Sequence, residues 1–191
     1  MSALPQRQPA TYEDLFDLPP HMVGEIVGGT LYAHPRPAPK HARSHSILGG
    51  KLTTRFDEGD DGPGGWVILF EPELHLDGDI LVPDLAGWRR ERMPQLPESA
   101  WFELAPDWVC EVLSPSTARL DRVQKMPIYH AAGVTHLWLV DPDQQTVEAY
   151  QSEQGHWLLL GSWADQEKAR IPPFDAIEID LGRLWGLGPM Q

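Results

Sequence analysis

The sequence predicts an α/β (α+β) fold, a mixed central β-sheet flanked by helices. Two observations lead there. Short strand-like runs bounded by turn residues fill the first half of the chain, and a strand–helix–strand unit follows over residues 108–140. A crossover of that kind implies parallel pairing, whereas the hairpins around it imply antiparallel pairing, so the sheet is mixed. A length of 191 residues with 41% hydrophobic content and 8 Trp is enough for one folded domain, expected to span 1–191 with residues 1–10 as a flexible tail.

The elements follow in order. Thr11 with Asp14 three residues later forms a capping-box pattern ahead of Leu15 and Phe16, which predicts a short helix ended by Pro19-Pro20. Residues 22–27 and 30–34 flank Gly28-Gly29 and predict a hairpin. Prolines exclude a regular element over 34–39, and Ile47, Leu48, Leu52 and Phe56 then fall at helical spacing, predicting a helix over 41–56.

After the acidic, glycine-rich loop 57–65, strands are expected over 66–70, 73–76 and 79–86, the last two joined by Asp77-Gly78. Residues 89–106 read as a loop with a helical turn around 98–103. The run 108–113, apolar except for Glu111, predicts a buried central strand. Ser114, Ser116 and Thr117 are capping hydroxyls for a helix reaching Ala132, kinked at Pro127 and stopped by Gly133. A second buried strand over 135–140 and a closing hairpin, 146–150 with 156–163, complete the expectation.

Charge and composition narrow the function. The 15 Lys+Arg against 28 Asp+Glu give a net charge of −13, which opposes tight, non-specific binding to a nucleic-acid backbone. No stretch approaches the roughly 20 apolar residues of a membrane span, and the first ten residues lack the apolar run of a signal peptide, so a cytoplasmic location is expected. The single cysteine, Cys110, sits in an apolar strand and is expected to be a buried, inert thiol.

Acids inside apolar runs are the informative residues, because a buried charge costs several kcal/mol unless it is paired, neutralised or metal-bound. Asp84 lies within Ile80-Leu81-Val82-Pro83-Asp84-Leu85-Ala86, and Glu111 within Trp108-Val109-Cys110-Glu111-Val112-Leu113. Pairing of the two strands would set these carboxylates side by side, a donor set for a hard dication such as Mg2+ or Mn2+. Lys125, on the next helix, can fold back over the strand end. Asp, Glu, Lys and a dication together suit phosphodiester hydrolysis.

These residues also carry a resemblance. Pro83-Asp84, the block Glu111-Val112-Leu113-Ser114-Pro115-Ser116-Thr117, Asp121, Lys125, Tyr129 and Ala132-Gly133-Val134 leading to Trp138-Leu139-Val140-Asp141-Pro142 resemble the signature of the Uma-two family of restriction-endonuclease-like proteins. That family is assigned to the PD-(D/E)XK nuclease superfamily. The likeness extends upstream to Thr11–Leu15, to Glu25-Ile26-Val27-Gly28-Gly29 and to the helix near His41, and so covers almost the whole chain. It implies a restriction-endonuclease-like fold with Asp84, Glu111 and Lys125 as catalytic residues. The metal-binding set it implies is Asp84, Glu111, the Val112 carbonyl and Glu25. The usual superfamily lysine stands two residues after the acid, where this chain has Leu113; Lys125 resembles the lysine that has moved to the following helix.

The expected function is therefore a metal-dependent DNA endonuclease. Its alternatives are a catalytically silent binding module on the same fold and a hydrolase of a smaller phosphate ester. DNA contact would fall to the basic residues Arg36, Lys40, Arg43, Lys51 and Arg55 around the helix at 41–56. His41 and His45 stand four apart, a spacing that suits zinc, but no His-Glu-x-x-His pattern accompanies them, and they are expected to be solvated. A homodimer is expected, with Tyr150, Trp157 and Trp163 of the closing hairpin at its interface.

Overall fold

The structure, a computed structural model, describes residues 9–35 and 37–186. Arg36 and most of the expected N-terminal tail lie outside the described residues. Six strands form the main sheet: β3 (Trp66–Phe70), β6 (Leu85–Arg89), β7 (Trp108–Val112), β8 (His136–Asp141), β9 (Thr146–Glu153) and β10 (His156–Ala164), in the order β10-β9-β8-β7-β6-β3. Only β7 and β8 pair in parallel, with Glu111 opposite Leu139; every other neighbour is antiparallel. A second, antiparallel sheet holds β1 (Met22–Val27), β2 (Thr30–Pro35), β4 (Leu74–Leu76) and β5 (Asp79–Leu81) in the order β2-β1-β5-β4. The mixed sheet, the parallel crossover and both terminal hairpins agree with the sequence reading.

Helices are short except for one. α1 (Tyr12–Phe16) carries the expected capping box, with the Thr11 N–H donating to Asp14 at 2.7 Å. α2 (Pro39–Leu52) begins two residues ahead of the expected start, because Pro39 occupies the first turn, where a missing N–H is harmless. It then widens into a π-turn over Thr53–Asp57. The crossover between β7 and β8 comprises α3 (Ala118–Leu120), a π-turn at Asp121–Lys125 and α4 (Met126–Ala131). Pro127 has no N–H to continue the α ladder, and Met126 instead bonds the Asp121 carbonyl five residues back. Gly133, at φ +88°, ends the helix as expected.

Alternation along the strands divides the core between two faces. Trp108, Cys110 and Val112 of β7 pack with Leu48, Leu52 and Phe56 of α2, and Phe174 lies against Phe56, Trp66 and Trp108 at ring-centroid distances of 4.6–4.8 Å. Val109 and Leu113 face the other way, toward Leu74 and Leu81 of the small sheet and toward Leu120 and Tyr129 of the crossover. Glu111 lies on this second face by alternation.

Two expectations are corrected, and one stretch with no predicted element proves ordered. The single strand at 79–86 is two strands, β5 and β6, in different sheets, because Pro83 interrupts the ladder and the chain passes from one sheet to the other across Val82-Pro83-Asp84. Residues 98–103 form no helical turn; Phe102 bridges Leu74 in parallel instead. Beyond the closing hairpin the sequence predicts no element, yet β11 (Lys168–Ala169) pairs there with β12 (Ile179–Asp180), and α5 (Gly182–Trp185) packs on α2. There the Ser44 hydroxyl donates to the Leu184 carbonyl at 3.0 Å. No helix among the described residues is long and apolar enough to cross a membrane.

Candidate active site

The passage from β5 to β6 lies beside the C-terminal end of β7, and the side chains gathered there line a cavity of about 390 Å³. Asp84 stands one step before Leu85, which pairs with Cys110, so the register carries it next to Glu111. Its Oδ2 accepts the Val112 N–H at 2.7 Å, fixing the carboxylate against the strand end. Glu111 is buried, and its Oε1 accepts both the Tyr129 hydroxyl at 2.6 Å and the Lys125 ammonium at 2.8 Å. The hydrogen bonds found to Glu111 involve Oε1 alone, which leaves Oε2 for a ligand.

Lys125 is a buried cation among acids. Its Nζ lies 2.8 Å from Glu25, 2.8 Å from Glu111 and 3.5 Å from Asp121. Glu25 reaches the cluster from β1, and the same oxygen that meets Lys125 accepts the Val82 N–H at 2.8 Å. Asp121 and Lys125 belong to the π-turn ahead of Pro127, and they form a buried pair, not an ordinary helix-surface pair. Glu25, Asp84, the Glu111-Val112 pair and Lys125, distant from one another in sequence, thus line one cavity.

Three carboxylates around one ammonium set the local electrostatics. Burial alone would lower the Lys125 pKa, but Glu111, Glu25, Tyr129 and Asp121 outweigh it and hold the ammonium well above its ordinary range. Burial pushes the Glu111 carboxyl well up, opposed by Lys125 and helped by Asp121, Asp84 and Glu25. Asp121 is raised for the same reason, against the pull of Lys125 and a Thr117 hydrogen bond. Lys125 is therefore a fixed positive charge near neutrality and a poor proton acceptor. Burial, then Asp84 and Glu111, also push the fully buried Cys110 thiol well up, in keeping with an inert thiol.

The histidines of α2 depart from expectation, since neither is solvated. His41 Nε2 sits 3.2 Å from Asp84 Oδ1, and its ring also meets the Val112 backbone. Burial would lower its pKa, but these two neighbours raise it. His45 is buried, and with Glu71 and Asp84 it forms a group whose ligand atoms lie within 4.8 Å of one another. The signal was present in the sequence: His45, Leu48 and Leu52 share one helical face, which places His45 on the apolar side. Glu71 carried no such signal, standing in a turn before Pro72 with φ +47°.

The donor chemistry fits a divalent cation. Asp84 and Glu111 offer hard oxygens in one cavity, and the Val112 backbone lies between Asp84 and His41. The basic residues expected to contact DNA are mostly engaged elsewhere. Lys40 pairs with Asp143 at 2.9 Å, Lys51 donates to the Glu178 carbonyl at 2.7 Å, and Arg55 donates to the Asp60 and Asp61 carbonyls. Trp88 is fully buried and donates to the Leu104 carbonyl.

Comparison with known proteins gives the family. The Uma2 family profile, described as "Putative restriction endonuclease", matches residues 10–182. Among solved structures, a crystal structure described as a "putative nuclease belonging to DUF820" from Anabaena variabilis ATCC 29413 superposes with a TM-score of 0.74. The two chains are 22% identical, and the match covers 93% of this chain and 98% of that one, a likeness that shows the shared fold. No curated protein matches the chain. With nearly all of its length matched by the family profile, the chain belongs to the Uma2 family of restriction-endonuclease-like proteins.

Proposed function

We propose that the protein is a metal-dependent DNA endonuclease that hydrolyses phosphodiester bonds. The observation that carries this reading is the meeting of Asp84, Glu111 and Lys125 in one cavity at the end of β7, within a chain of the Uma2 family. Asp84, Glu111 and the Val112 carbonyl would hold Mg2+ or Mn2+, and Glu25, a further ligand in the set the resemblance implies, would instead fix Lys125, whose Nζ lies 2.8 Å from its carboxylate. The chemistry supplied by a bound dication is a lowered water pKa and neutralisation of charge on the scissile phosphate. Lys125, held protonated by its carboxylates, orients water or phosphate electrostatically and does not act as a base. Duplex cleavage would place two such sites on two strands through a homodimer.

The test is a nuclease assay on plasmid and single-stranded DNA with Mg2+ or Mn2+, comparing wild type with Glu111→Gln and Glu111→Ala. Metal-dependent cleavage that both variants lose supports the reading, and wild-type inactivity on both substrates rejects it. A second reading, hydrolysis of a smaller phosphate ester, is favoured by the acid surplus around Lys125 and by the engagement of Lys51 and Arg55 within the chain. Competition by mononucleotides against DNA separates the two.

A further inference from the structure

We propose that Asp84 also serves a second cation site, with His45 and Glu71, that takes a first-row transition-metal dication such as Zn2+ or Mn2+ in preference to Mg2+. The site lies on the α2 side of Asp84, the residue it shares with the set built around Glu111. Its three ligand atoms come from three elements: α2, the turn after β3, and the passage between β5 and β6. Each is within 4.8 Å of the others, a spread that small side-chain adjustments can close around one ion.

The unsatisfied chemistry of His45 carries the inference. Its side chain is 8% exposed, and its Nε2 is buried without a hydrogen-bond partner. A polar nitrogen left in that state costs on the order of 1–3 kcal/mol, so a buried imidazole normally finds a donor, an acceptor or a metal. The main chain holds the other two residues side by side, with Asp84 Oδ1 3.2 Å from His41 Nε2. Asp84 is fixed by the Val112 N–H, and the Glu71 backbone N–H donates to the Asp84 carbonyl at 3.0 Å, tying the two acids together through the main chain. The Phe70 ring, 5.2 Å from the His45 ring, packs beside the imidazole.

The donor types choose the metal. An imidazole nitrogen suits zinc and its transition-metal neighbours, whereas Mg2+ binds through oxygens and retains much of its water. Three protein ligands leave room in the coordination sphere for water or an anionic oxygen.

This site does not depend on nuclease activity, and binding tests it without DNA. Calorimetric titration of tag-free, full-length protein with Zn2+ should show about one tight equivalent. His45→Gln and Glu71→Gln should each weaken it by at least about tenfold, as loss of a direct ligand costs no less than the roughly 10–100-fold of an outer contact. Glu111→Gln should leave Zn2+ binding within about twofold. In Co2+-loaded wild type, visible bands should show nitrogen ligation that His45→Gln removes. Zn2+ binding unchanged in Glu71→Gln, a substitution at an exposed side chain, overturns the proposal even if His45→Gln misfolds. Loss of binding in Glu111→Gln as complete as in His45→Gln also overturns it, by placing the ion between Asp84 and Glu111. A protein that binds Zn2+ as expected but cuts no DNA rejects the nuclease reading alone.

Discussion

Lys125 and Glu111 touch one another, yet their removal should have opposite consequences. Glu111→Gln keeps an oxygen that can accept the Tyr129 hydroxyl and leaves Lys125 with Glu25 and Asp121, while removing one charge from an acid-rich pocket. The metal-free variant should therefore melt within about 1 kcal/mol of wild type or above it, and should lose most of the stabilisation that Mg2+ gives wild type. Lys125→Met strands three buried carboxylates, and should cost about 3–5 kcal/mol in urea melts. A Glu111→Gln variant that is strongly destabilised without metal, beside a wild type indifferent to Mg2+, would make Glu111 a structural residue. His136 gives a separate pH signature. Burial, then Arg89, lower its pKa, so the folded chain holds it neutral while the unfolded chain takes up a proton near the ordinary value of about 6.5. Its contribution to stability is thus present above that value and lost as pH falls through the lowered pKa. Histidine NMR should find its midpoint below 6.5, and urea melts of His136→Asn should lose less stability than wild type on acidification.

At the scale of elements, Gly87 shows how closely β6 is fitted. A Cβ there would stand 3.0 Å from Ile68 and 3.2 Å from the rings of Trp108 and Trp66, all buried. None of the three can move into solvent, and Gly87→Ala should lower stability by about 1–3 kcal/mol without altering metal affinity. Thermal melts and metal titration on one sample check both halves. Strands with continuous apolar sequence, such as β7 and β8, were legible because burial on both faces leaves an unmistakable composition, and the Gly28-Gly29 and Asp77-Gly78 hairpins because φ is positive at all four positions. The passage from β5 to β6 was not legible, since Val82 and Leu85 continue the apolar pattern across Pro83 and only tertiary pairing divides them. Two-residue strands such as β11 hold no period to read. At the site, Asp84 and Glu111 were legible as charges in apolar runs, and Lys125 by its place on the following helix and by the family resemblance. Glu71 did not, because a turn acid looks the same whether it meets solvent or a neighbour.

For the whole molecule, the closing hairpin is less available to a partner than its composition suggests. Trp157 donates to the Met126 carbonyl and meets the His130 ring edge-on, Tyr150 donates to Glu148, and Trp163 packs against the main core. What β10 leaves outward are Leu158 and Leu159, at 48% and 50% exposure, on the last strand of the sheet. A homodimer, if it forms along this edge, should dissociate on Leu158→Lys with little loss of fold. Light scattering at micromolar concentration reads the outcome, and a monomeric wild type rejects the dimer.

The three residues between the sheets bear on how any variant of this protein should be judged. Glu25 holds the amide of Val82 and Asp84 holds the amide of Val112, so two carboxylates on either side of Pro83 act as stitches across the seam where one sheet gives way to the other. Asp84, proposed as a metal ligand, thus also fastens the scaffold, and Glu25 fastens it while holding Lys125. Cutting a side chain back to alanine therefore undoes a seam as well as a site, and silence in such a variant would not distinguish a lost reagent from a loosened frame. The amides, Asp84→Asn and Glu25→Gln, keep an acceptor for each stitch while discarding the charge, and they are the substitutions from which the roles of these acids can be read.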